Sequence, residues 1–323
     1  MPDDISYTTE EIAKLLRVSK LTVYDLIKKG ELPSYRVGKQ MRVDASDLEA
    51  YKSRAKGGRP PKAPVPPVGE VATAPVITHH VTQFGASAVK PLVITGQDTS
   101  LDILAKYIEK QNKQVRPLRS FVGSLDSLIS MYHGESDVVS THMFDGDTGE
   151  YNVPYIRKLL VGFSYIVVNL ASRNAGIYVA KGNPHGISSW EDLTRPEVRI
   201  VNRERGSGAR ILLDEQLRLR GISRAALNGY LTEESSHLGV AGKVASAQAD
   251  AGVGIEKAAA MVGVDFVPLI QERYDLVMLK KPANTEWMDT VVRILQSESF
   301  ANELRSIGGY DLSQTGKVIW ETE

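Results

Sequence analysis

A chain of 323 residues is longer than one hydrophobic core usually organises, so two or three domains are expected. The chain contains no cysteine, which excludes disulfides, thiolate zinc sites and cysteine nucleophiles. Lysine plus arginine and aspartate plus glutamate each number 39, so the charge of the whole chain does not indicate a nucleic-acid partner.

Residues 7–54 carry the apolar pattern of two short helices separated by a break. Thr8 or Thr9 is placed to cap the first helix, and two glutamates fall in its first turn, where acidic residues are favoured. Ser19 is placed to cap the second helix. The apolar positions that recur at helical spacing are Ile12, Leu15, Leu16, Val23, Leu26 and Ile27.

A basic hairpin follows these helices. Gly30 is expected to end the second helix, and residues 35–43 have the pattern of two short strands around a glycine turn. Asp44 then opens a third helix. The predicted order is therefore helix, turn, helix, wing, helix.

Positive charge is concentrated in this part of the chain. From Lys14 to Lys62 there are thirteen lysines and arginines against five aspartates and glutamates. A basic region in an otherwise neutral protein indicates contact with a polyanion, and a solvated basic face is the alternative.

The segments TTEEIA (8–13), VSKLTVY (18–24) and GELP (30–33) precede the basic hairpin. Together they resemble the excisionase and mercury-resistance-regulator class of winged helix-turn-helix domains. The resemblance implies that the second helix enters the major groove of double-stranded DNA and that the wing contacts phosphates. A unit that makes only protein contacts is the alternative. The predicted DNA-binding residues are Ser19, Lys20, Thr22, Tyr24, Lys28, Arg36, Lys39 and Arg42.

Residues 56–88 are expected to form an interdomain linker, because prolines are frequent and no amphipathic period is present. The segment KGGRPPK (56–62) is similar to an AT-hook, in which Arg59 would enter a narrow minor groove. It departs from the usual pattern at Gly58, and a basic linker explains it equally well. The predicted domains are residues 1–55, the linker 56–88, and residues 89–323.

Beyond Lys90, strand-like segments alternate with helix-like segments, which predicts an α/β domain with parallel sheets and crossover helices. The expected strands are 92–95, 115–121, 137–140, 199–202, 251–253, 266–269 and 276–279. The expected helices are 100–111, 124–132, 209–220, 237–247, 256–262 and 285–307.

Three predicted loops bring small polar residues to helix starts, at 96–100, 123–124 and 205–209. Helix N-termini offer free amides and the positive end of the helix dipole, which suit an anion. Such loops lie at the carboxyl ends of strands, where ligands of α/β sheets bind. We therefore expect two lobes that close over an anion, and a purely structural turn is the alternative for each loop.

The segments NRERGSGAR (202–210), HLGVA (237–241), ADAGVG (249–254) and ERYDL (272–276) resemble the periplasmic-binding-protein-like domain related to molybdate-binding proteins. That domain also occurs fused to helix-turn-helix regulators. The resemblance implies a two-lobed type II fold and a molybdate- or tungstate-type oxyanion as ligand. The chain departs from the family at NLASRNAG (169–176), where relatives carry an arginine-rich run.

The ligand-binding residues are predicted from these loops and segments. Ser207, with the two residues after it, is the leading candidate, because glycine lets backbone amides approach a bound oxygen. The full set is Asp98, Thr99, Ser124, Thr141, His142, Tyr151, Asn202, Arg203, Ser207, Gly208, Ala209, Arg210 and Tyr274.

An enzyme is not predicted. Ser207, His237 or His142, and Asp250 supply the residue types of a hydrolase triad, but the flanking elbow motif of hydrolases is absent. The histidines are scattered except for one adjacent pair in the linker, so neither a metal nor a resident cofactor is expected.

The predicted fold class is multidomain, with a small α-helical winged helix-turn-helix and a two-lobed α/β periplasmic-binding-protein-like domain. The predicted function is a ligand-responsive transcription regulator that acts as a dimer, because paired half-sites improve specificity. A cytoplasmic location is expected, since no signal peptide or membrane-spanning run is recognisable. The alternatives are a small carboxylated or sulfonated metabolite as the ligand, or a C-terminal domain that serves only dimerisation.

Overall fold

The chain divides into two compact units, Met1–Thr82 and Gln83–Glu323. The predicted linker and its AT-hook-like segment with Arg59 lie outside the described residues. No helix in the described parts is long and apolar enough to cross a membrane. The computed structural model describes residues 6–16, 18–28, 32–37, 40–55 and 89–323.

The described part of the N-terminal unit combines short helices with a small antiparallel sheet. The second and third strands pair as the predicted hairpin, and the first strand, which was not predicted, pairs with the third. The helices are α1 (Thr9–Leu16), α2 (Lys20–Lys28) and α3 (Ala45–Ala55), and the strands are β1 (Ser6–Thr8), β2 (Tyr35–Val37) and β3 (Gln40–Asp44).

Side chains fix the starts of the first two helices. The backbone N–H of Thr8 donates to Glu11 Oε2 at 2.8 Å, and the N–H of Glu11 donates to Thr8 Oγ1 at 3.4 Å. This reciprocal pair is a capping box. The N–H of Thr22 donates to Ser19 Oγ at 3.1 Å, which confirms the prediction that Ser19 caps α2.

A small apolar cluster joins these elements. Most of the predicted apolar positions pack in or against it, but Leu15 is 50% exposed. The buried members of the cluster are Ile12, Val23, Leu32, Val43 and Leu48. The two helices and the hairpin therefore share one core.

The C-terminal unit contains the alternating elements expected from its sequence, with additional strands and helices. Its helices are α4 (Ser100–Gln111), α5 (Ser124–Tyr132), α6 (Val153–Leu159), α7 (Gly208–Leu219), α8 (His237–Ala245), α9 (Glu256–Val262), α10 (Thr285–Leu295) and α11 (Glu298–Ile307). Short 3-10 turns occur at Glu191–Thr194, Arg224–Ala226 and Pro282–Asn284. Its strands are β4 (Lys90–Thr95), β5 (Val115–Ser120), β6 (Val138–Thr141), β7 (Tyr165–Val179), β8 (Ile200–Arg203), β9 (Glu233–Glu234), β10 (Ala251–Ile255), β11 (Asp265–Leu279) and β12 (Val318–Glu321).

These nine strands of residues 89–323 form a mixed sheet, not the parallel sheets that were predicted. The order is β5-β4-β6-β11-β7-β10-β8-β9, and β12 pairs with β7. The outer pairs β4–β5, β4–β6, β8–β10 and β8–β9 are parallel. The central strands β7 and β11 pair antiparallel with each other and with their other neighbours.

The strands β7 and β11 are each 15 residues long and pair with each other from end to end. The sequence predicted two separate strands at 266–269 and 276–279 where the structure has the single strand β11. Its register shifts between Pro268 and Ile270 and again between Tyr274 and Asp275. Between the two shifts the strand carries Gln271, Glu272 and Arg273, and these polar residues interrupt the apolar pattern.

Each half of the unit has its own core. The first lobe, made of β4–β6, α4–α6, α10, α11 and β12, packs apolar side chains such as Leu101 and Phe300 on one face and Leu128 and Ile156 on the other. The second lobe, made of β8–β10 and α7–α9, has separate clusters. The long strands β7 and β11 connect the two lobes.

Candidate ligand-binding cleft and DNA-binding helix

A cleft of about 520 Å³ is lined by residues of both lobes. Its walls come from the segments that follow β4, β5, β8, β9 and β10, each of which leads into a helix. The starts of α4, α5, α7, α8 and α9 therefore face one space. Most of the predicted ligand-binding residues line this cleft, namely Asp98, Thr99, Ser124, His142, Arg203, Ser207, Gly208 and Tyr274.

The other predicted ligand-binding residues lie outside the lining. Thr141 and Asn202 make hydrogen bonds within the protein, to Asn152 and to the Tyr230 carbonyl. Tyr151 and Ala209 pack in an apolar cluster of the second lobe. The last of these residues is Arg210.

Arg210 is held away from the cleft by a set of contacts within the second lobe. Its guanidinium stacks 4.3 Å from the centre of the Tyr230 ring. Its Nη1 donates to the Arg203 carbonyl at 3.1 Å and to Glu233 Oε1 at 2.9 Å. The charge of Arg210, a predicted ligand-binding residue, is therefore directed toward these protein groups.

A buried ion network lies beside the cleft on the strands β7 and β11, and its members Asp98 and Arg173 belong to the cleft lining. The Arg173 guanidinium pairs with Asp98 and with Glu272, and all three side chains are at most 4% exposed. Glu272 Oε2 also lies 3.1 Å from His142 Nδ1, and the Tyr310 hydroxyl donates to Asp98 Oδ1 at 2.6 Å. Every carboxylate oxygen of the network therefore has a partner.

The charge of Arg173 keeps both carboxyl groups ionised. Burial by itself raises the pKa of Glu272, but the charge of Arg173, with contributions from His142, outweighs burial and lowers that pKa to about 2. Burial likewise opposes ionisation of Asp98, and the charge of Arg173 with hydrogen bonds from Ser100 and Tyr310 lowers its pKa. The network carries one positive and two negative charges before His142 is counted.

Tyr274 forms one wall of this network. Its ring lies 4.4 Å from the Arg173 guanidinium carbon, and its hydroxyl makes a 2.7 Å hydrogen bond with Ser140 Oγ. Ser140 in turn donates to the Thr95 carbonyl at 2.9 Å. Tyr274 is one of the predicted ligand-binding residues, and in the structure its hydroxyl is hydrogen-bonded to Ser140.

His142 is packed against the start of α7. A β-carbon added at Gly208 would lie 2.4 Å from His142 Nδ1, so only glycine leaves room for the ring in this position. The backbone N–H of His142 donates to Ser124 Oγ at 3.3 Å. Ser124 and Gly208, both predicted from their loops, thus position His142.

Direct hydrogen bonds join the two lobes across the cleft. The N–H of Leu125 donates to the Gly206 carbonyl at 3.0 Å. Arg203 Nη2 donates to Gln97 Oε1 at 2.7 Å, and the same guanidinium pairs with Glu204. The lobes are therefore in contact at the loops that follow β4, β5 and β8.

Two buried groups of the cleft lining have no hydrogen-bond partner among the described residues: Lys257 Nζ and His237 Nδ1. Lys257 Nζ lies 4.7 Å from the centre of the Tyr310 ring. Burial lowers the pKa of Lys257, while the charge of Asp98 opposes this effect. Burial, with the positive charge of Arg203, holds the pKa of His237 well below 6.5.

The residues named for the hydrolase alternative make their contacts with other groups of the protein. Ser207 caps α7, and its Oγ accepts a hydrogen bond from the N–H of Arg210 at 3.3 Å. Asp250 accepts from the N–H of Arg199 at 2.8 Å and lies 3.6 Å from His185. Among the residues that the structure describes, no group of three or more His, Asp or Glu side chains could hold a metal ion.

On the helix α2, the predicted DNA-binding side chains Ser19, Lys20, Thr22 and Tyr24 are exposed. Ser19 Oγ and Thr22 Oγ1 are 2.8 Å apart, and Lys20 lies over the Tyr24 ring at 5.9 Å. Lys20 also forms an ion pair with Glu10 of α1. The polar face of α2 is therefore available, but one of its positive charges is paired.

The predicted wing residues are only partly described. Arg42 lies on β3, is half-buried, and its Nη1 donates to Ser6 Oγ at 3.1 Å. Arg36 and Lys28 belong to β2 and α2, but their side chains lie outside the described part, as does all of Lys39. Of the three predicted wing cations, Arg42 is therefore the one whose side-chain contacts the structure describes.

Comparison with known proteins identifies both units. Residues 105–296 match the family described as the PBP superfamily domain, in which PBP denotes periplasmic binding protein. The chain belongs to the PBP superfamily. Residues 6–56 match the helix-turn-helix domain family, so this PBP-superfamily chain also carries a DNA-binding type of domain.

Two relatives and one solved structure are similar to this chain. The Bacillus subtilis protein YvgK is 48% identical over 322 residues, and the alignment covers 100% of this chain and 100% of that protein. The sulfate-binding protein of Synechococcus elongatus is 28% identical over 151 residues, which are 44% of this chain and 39% of that protein. A solved structure of a phosphate ABC transporter substrate-binding protein from Clostridium perfringens, with bound phosphate, has a TM-score of 0.51 at 13% identity, covering 69% of this chain and 99% of that one.

Sequence reasoning missed several residues of the PBP-superfamily cleft and of the ion network beside it. Arg173, Glu272 and Lys257 were not predicted, although the first two lie inside the segments 169–176 and 272–276 that were singled out. A charged residue within an otherwise apolar strand indicates a buried ion pair, and this signal was available. For Lys257 the signal is weaker, since it lies only one residue inside a helix that follows β10.

Proposed function

We propose that this chain is a ligand-responsive DNA-binding transcription regulator. The observation that carries the proposal is the presence in one chain of a helix-turn-helix unit and a two-lobed cleft of the PBP superfamily. The first supplies an exposed helix for double-stranded DNA, and the second supplies a concave site for a small molecule. The proposed role is binding and switching, not catalysis.

The proposed ligand is a small anion. The carboxylates Asp98 and Glu272 are already paired, whereas the Lys257 ammonium has no hydrogen-bond partner among the described residues. The starts of α5, α7 and α8 add backbone amides and favourable dipoles. The similarity to a sulfate-binding protein supports the same class of ligand.

Two kinds of anion are candidates. A molybdate- or tungstate-type oxyanion is the ligand predicted first from the sequence. A small carboxylated or sulfonated metabolite is the second, and the size of the cleft favours it.

The proposed switch uses the contact between the lobes. A ligand that binds the closed arrangement better than an open one shifts the population toward closure, and that shift is coupled to DNA affinity. We propose a homodimer in the cytoplasm, so that two α2 helices read two half-sites. The alternative is a DNA-binding protein whose C-terminal unit serves only dimerisation.

The test uses the full chain and DNA selected from a random duplex pool. Thermal melting first identifies which anions among molybdate, tungstate, sulfate and a set of organic acids stabilise the protein. Mobility-shift titrations then measure the DNA dissociation constant with and without that anion. We expect a change of about 5- to 150-fold.

Two results would reject the proposal. The first is absence of duplex binding by the full chain. The second is a DNA dissociation constant that stays the same when a stabilising anion saturates the cleft, which would favour the dimerisation-only alternative.

A further inference from the structure

The volume of the cleft is the first indication of the kind of anion it takes. At about 520 Å³ it falls inside the range of roughly 300–1,000 Å³ that is typical of pockets for larger organic ligands. A tetrahedral inorganic oxyanion would fill only a small part of it. The rest of the space needs a ligand with more atoms.

The second indication is an apolar rim, formed by Phe121, Leu238 and Met261. These side chains line the cleft and yet are 64%, 45% and 64% exposed, respectively. Phe121 precedes α5 in the first lobe, and the other two lie on α8 and α9 in the second. Large apolar side chains gathered from both lobes around one opening indicate a surface that an apolar group covers.

The third indication is Lys257, which lies on α9 together with Met261 and whose ammonium contacts the Tyr310 ring but no carboxylate among the described residues. Its Nζ is buried and has no hydrogen-bond partner among the described residues. Asp98, the nearby carboxylate, is saturated by Arg173, Tyr310 and the N–H of Ser100. An acidic group of a ligand is therefore the natural partner for the ammonium.

We infer that the ligand of the cleft is an organic acid with an apolar tail: its carboxylate or sulfonate meets Lys257, and its tail lies between Phe121, Leu238 and Met261. This inference rests on the proposed anion-sensing function and makes it more specific. Inorganic oxyanions satisfy the ammonium but leave the rim uncovered, so they bind more weakly than acids with a tail.

Calorimetry on the full chain tests the ligand class directly. The probes are acetate, butanoate and hexanoate, with sulfate and molybdate as inorganic anions. Burial of each added methylene should tighten binding by roughly fourfold. Hexanoate should therefore bind more tightly than both inorganic anions.

Matched variants separate the two ends of the ligand. Lys257→Met should weaken acetate and hexanoate by the same factor, at least tenfold, and Lys257→Arg should restore part of the affinity. Phe121→Ser should weaken hexanoate at least fivefold and leave acetate unchanged. Leu231→Ser is the control, because Leu231 is 76% exposed and lies outside the cleft lining.

The outcomes distinguish this inference from the proposed function. If sulfate or molybdate binds more tightly than hexanoate and Phe121→Ser leaves hexanoate binding unchanged, the organic-acid inference is overturned while anion sensing stands. If none of the anions binds, both fail. Melting temperatures of the variants within a few degrees of the parent chain show that losses of affinity are not losses of folding.

Discussion

Arg173 and Glu272 face each other across β7 and β11 and form an ion pair in which the side chains are 3% and 1% exposed. Asp98 of the first lobe forms a second ion pair with the same guanidinium. This pair occupies the middle of the two strands that connect the lobes. The ion pair is thus buried on the two strands that connect the lobes.

Replacing Arg173 by methionine should strongly destabilise the C-terminal unit. The substitution leaves Asp98 and Glu272 as buried carboxylates without their cation, a loss of about 3–5 kcal/mol in the free energy of unfolding. Urea unfolding followed by tryptophan fluorescence measures this loss. The control is Arg305→Met, which removes an exposed pair with Glu298 and should cost at most about 1 kcal/mol. If both substitutions lowered the free energy of unfolding by the same amount, burial of the ion pair would not explain the effect of Arg173→Met.

Acid should weaken the same unit through Glu272. Its pKa in the folded protein is about 2, below the ordinary value of 4.5, so its contribution is complete above pH 4.5 and disappears as the pH falls toward 2. Unfolding free energies measured between pH 6 and pH 3 should fall, by an amount on the order of 2 kcal/mol from this group. Burial raises the pKa of Asp275, which acts in the opposite direction.

The Glu272→Gln variant isolates that contribution. It should be less stable than the parent chain at pH 6, and its stability should decline less between pH 6 and pH 3. A decline as steep as in the parent chain would assign the acid sensitivity to other carboxylates.

Adding a methyl group at Gly208 should disturb the cleft. The new β-carbon would overlap the His142 ring and carbonyl, at 2.4 Å and 2.7 Å. Gly208→Ala should therefore cost about 1–3 kcal/mol and weaken ligand binding. Gly242→Ala is the matched control, because this helical glycine has open space around it and alanine should stabilise the helix by about 0.5–1 kcal/mol. Thermal melting and calorimetry of both variants decide the matter.

The ion pair between Glu10 and Lys20 should limit DNA affinity. Glu10 holds the ammonium of a lysine at the start of the proposed recognition helix and would itself repel phosphates. Glu10→Gln should tighten DNA binding roughly two- to fivefold at low salt, and Lys20→Gln should weaken it. Glu303→Gln, which removes the acid of an exposed pair with Lys106 in the other unit, should change nothing. Weaker binding by Glu10→Gln would mean that the pair orients α2 for DNA.

The local elements were largely predictable because their periodicity is strong. The bounds of α4, α5 and α9 agree with the sequence prediction to the residue. The strand β7 was not among the predicted strands, since most of it is buried on both faces and it carries Asn169, Arg173 and Asn174 among its apolar residues. Such a strand shows neither alternation nor an unbroken apolar run.

The candidate site was predictable only where loops carry recognisable motifs. Ser124 and Gly208 are the first residues of helices that follow strands, and Ser207 caps the second of these helices, which is a local property of the sequence. The pairing of Arg173 with Glu272 joins positions 99 residues apart and depends on the register of two long strands. No single-sequence pattern specifies such a register, so these residues emerge only from the fold.

The path of the chain has a mechanical consequence. The unit begins with β4 and ends with β12, and both strands belong to the first lobe, where β12 pairs with residues 166–168 of β7. Residues 180–264 are thus a continuous insertion with no terminus of their own. The backbone from residue 89 therefore enters this insertion through the first lobe and β7, so a fluorophore attached to the insertion reports its movement relative to the first lobe.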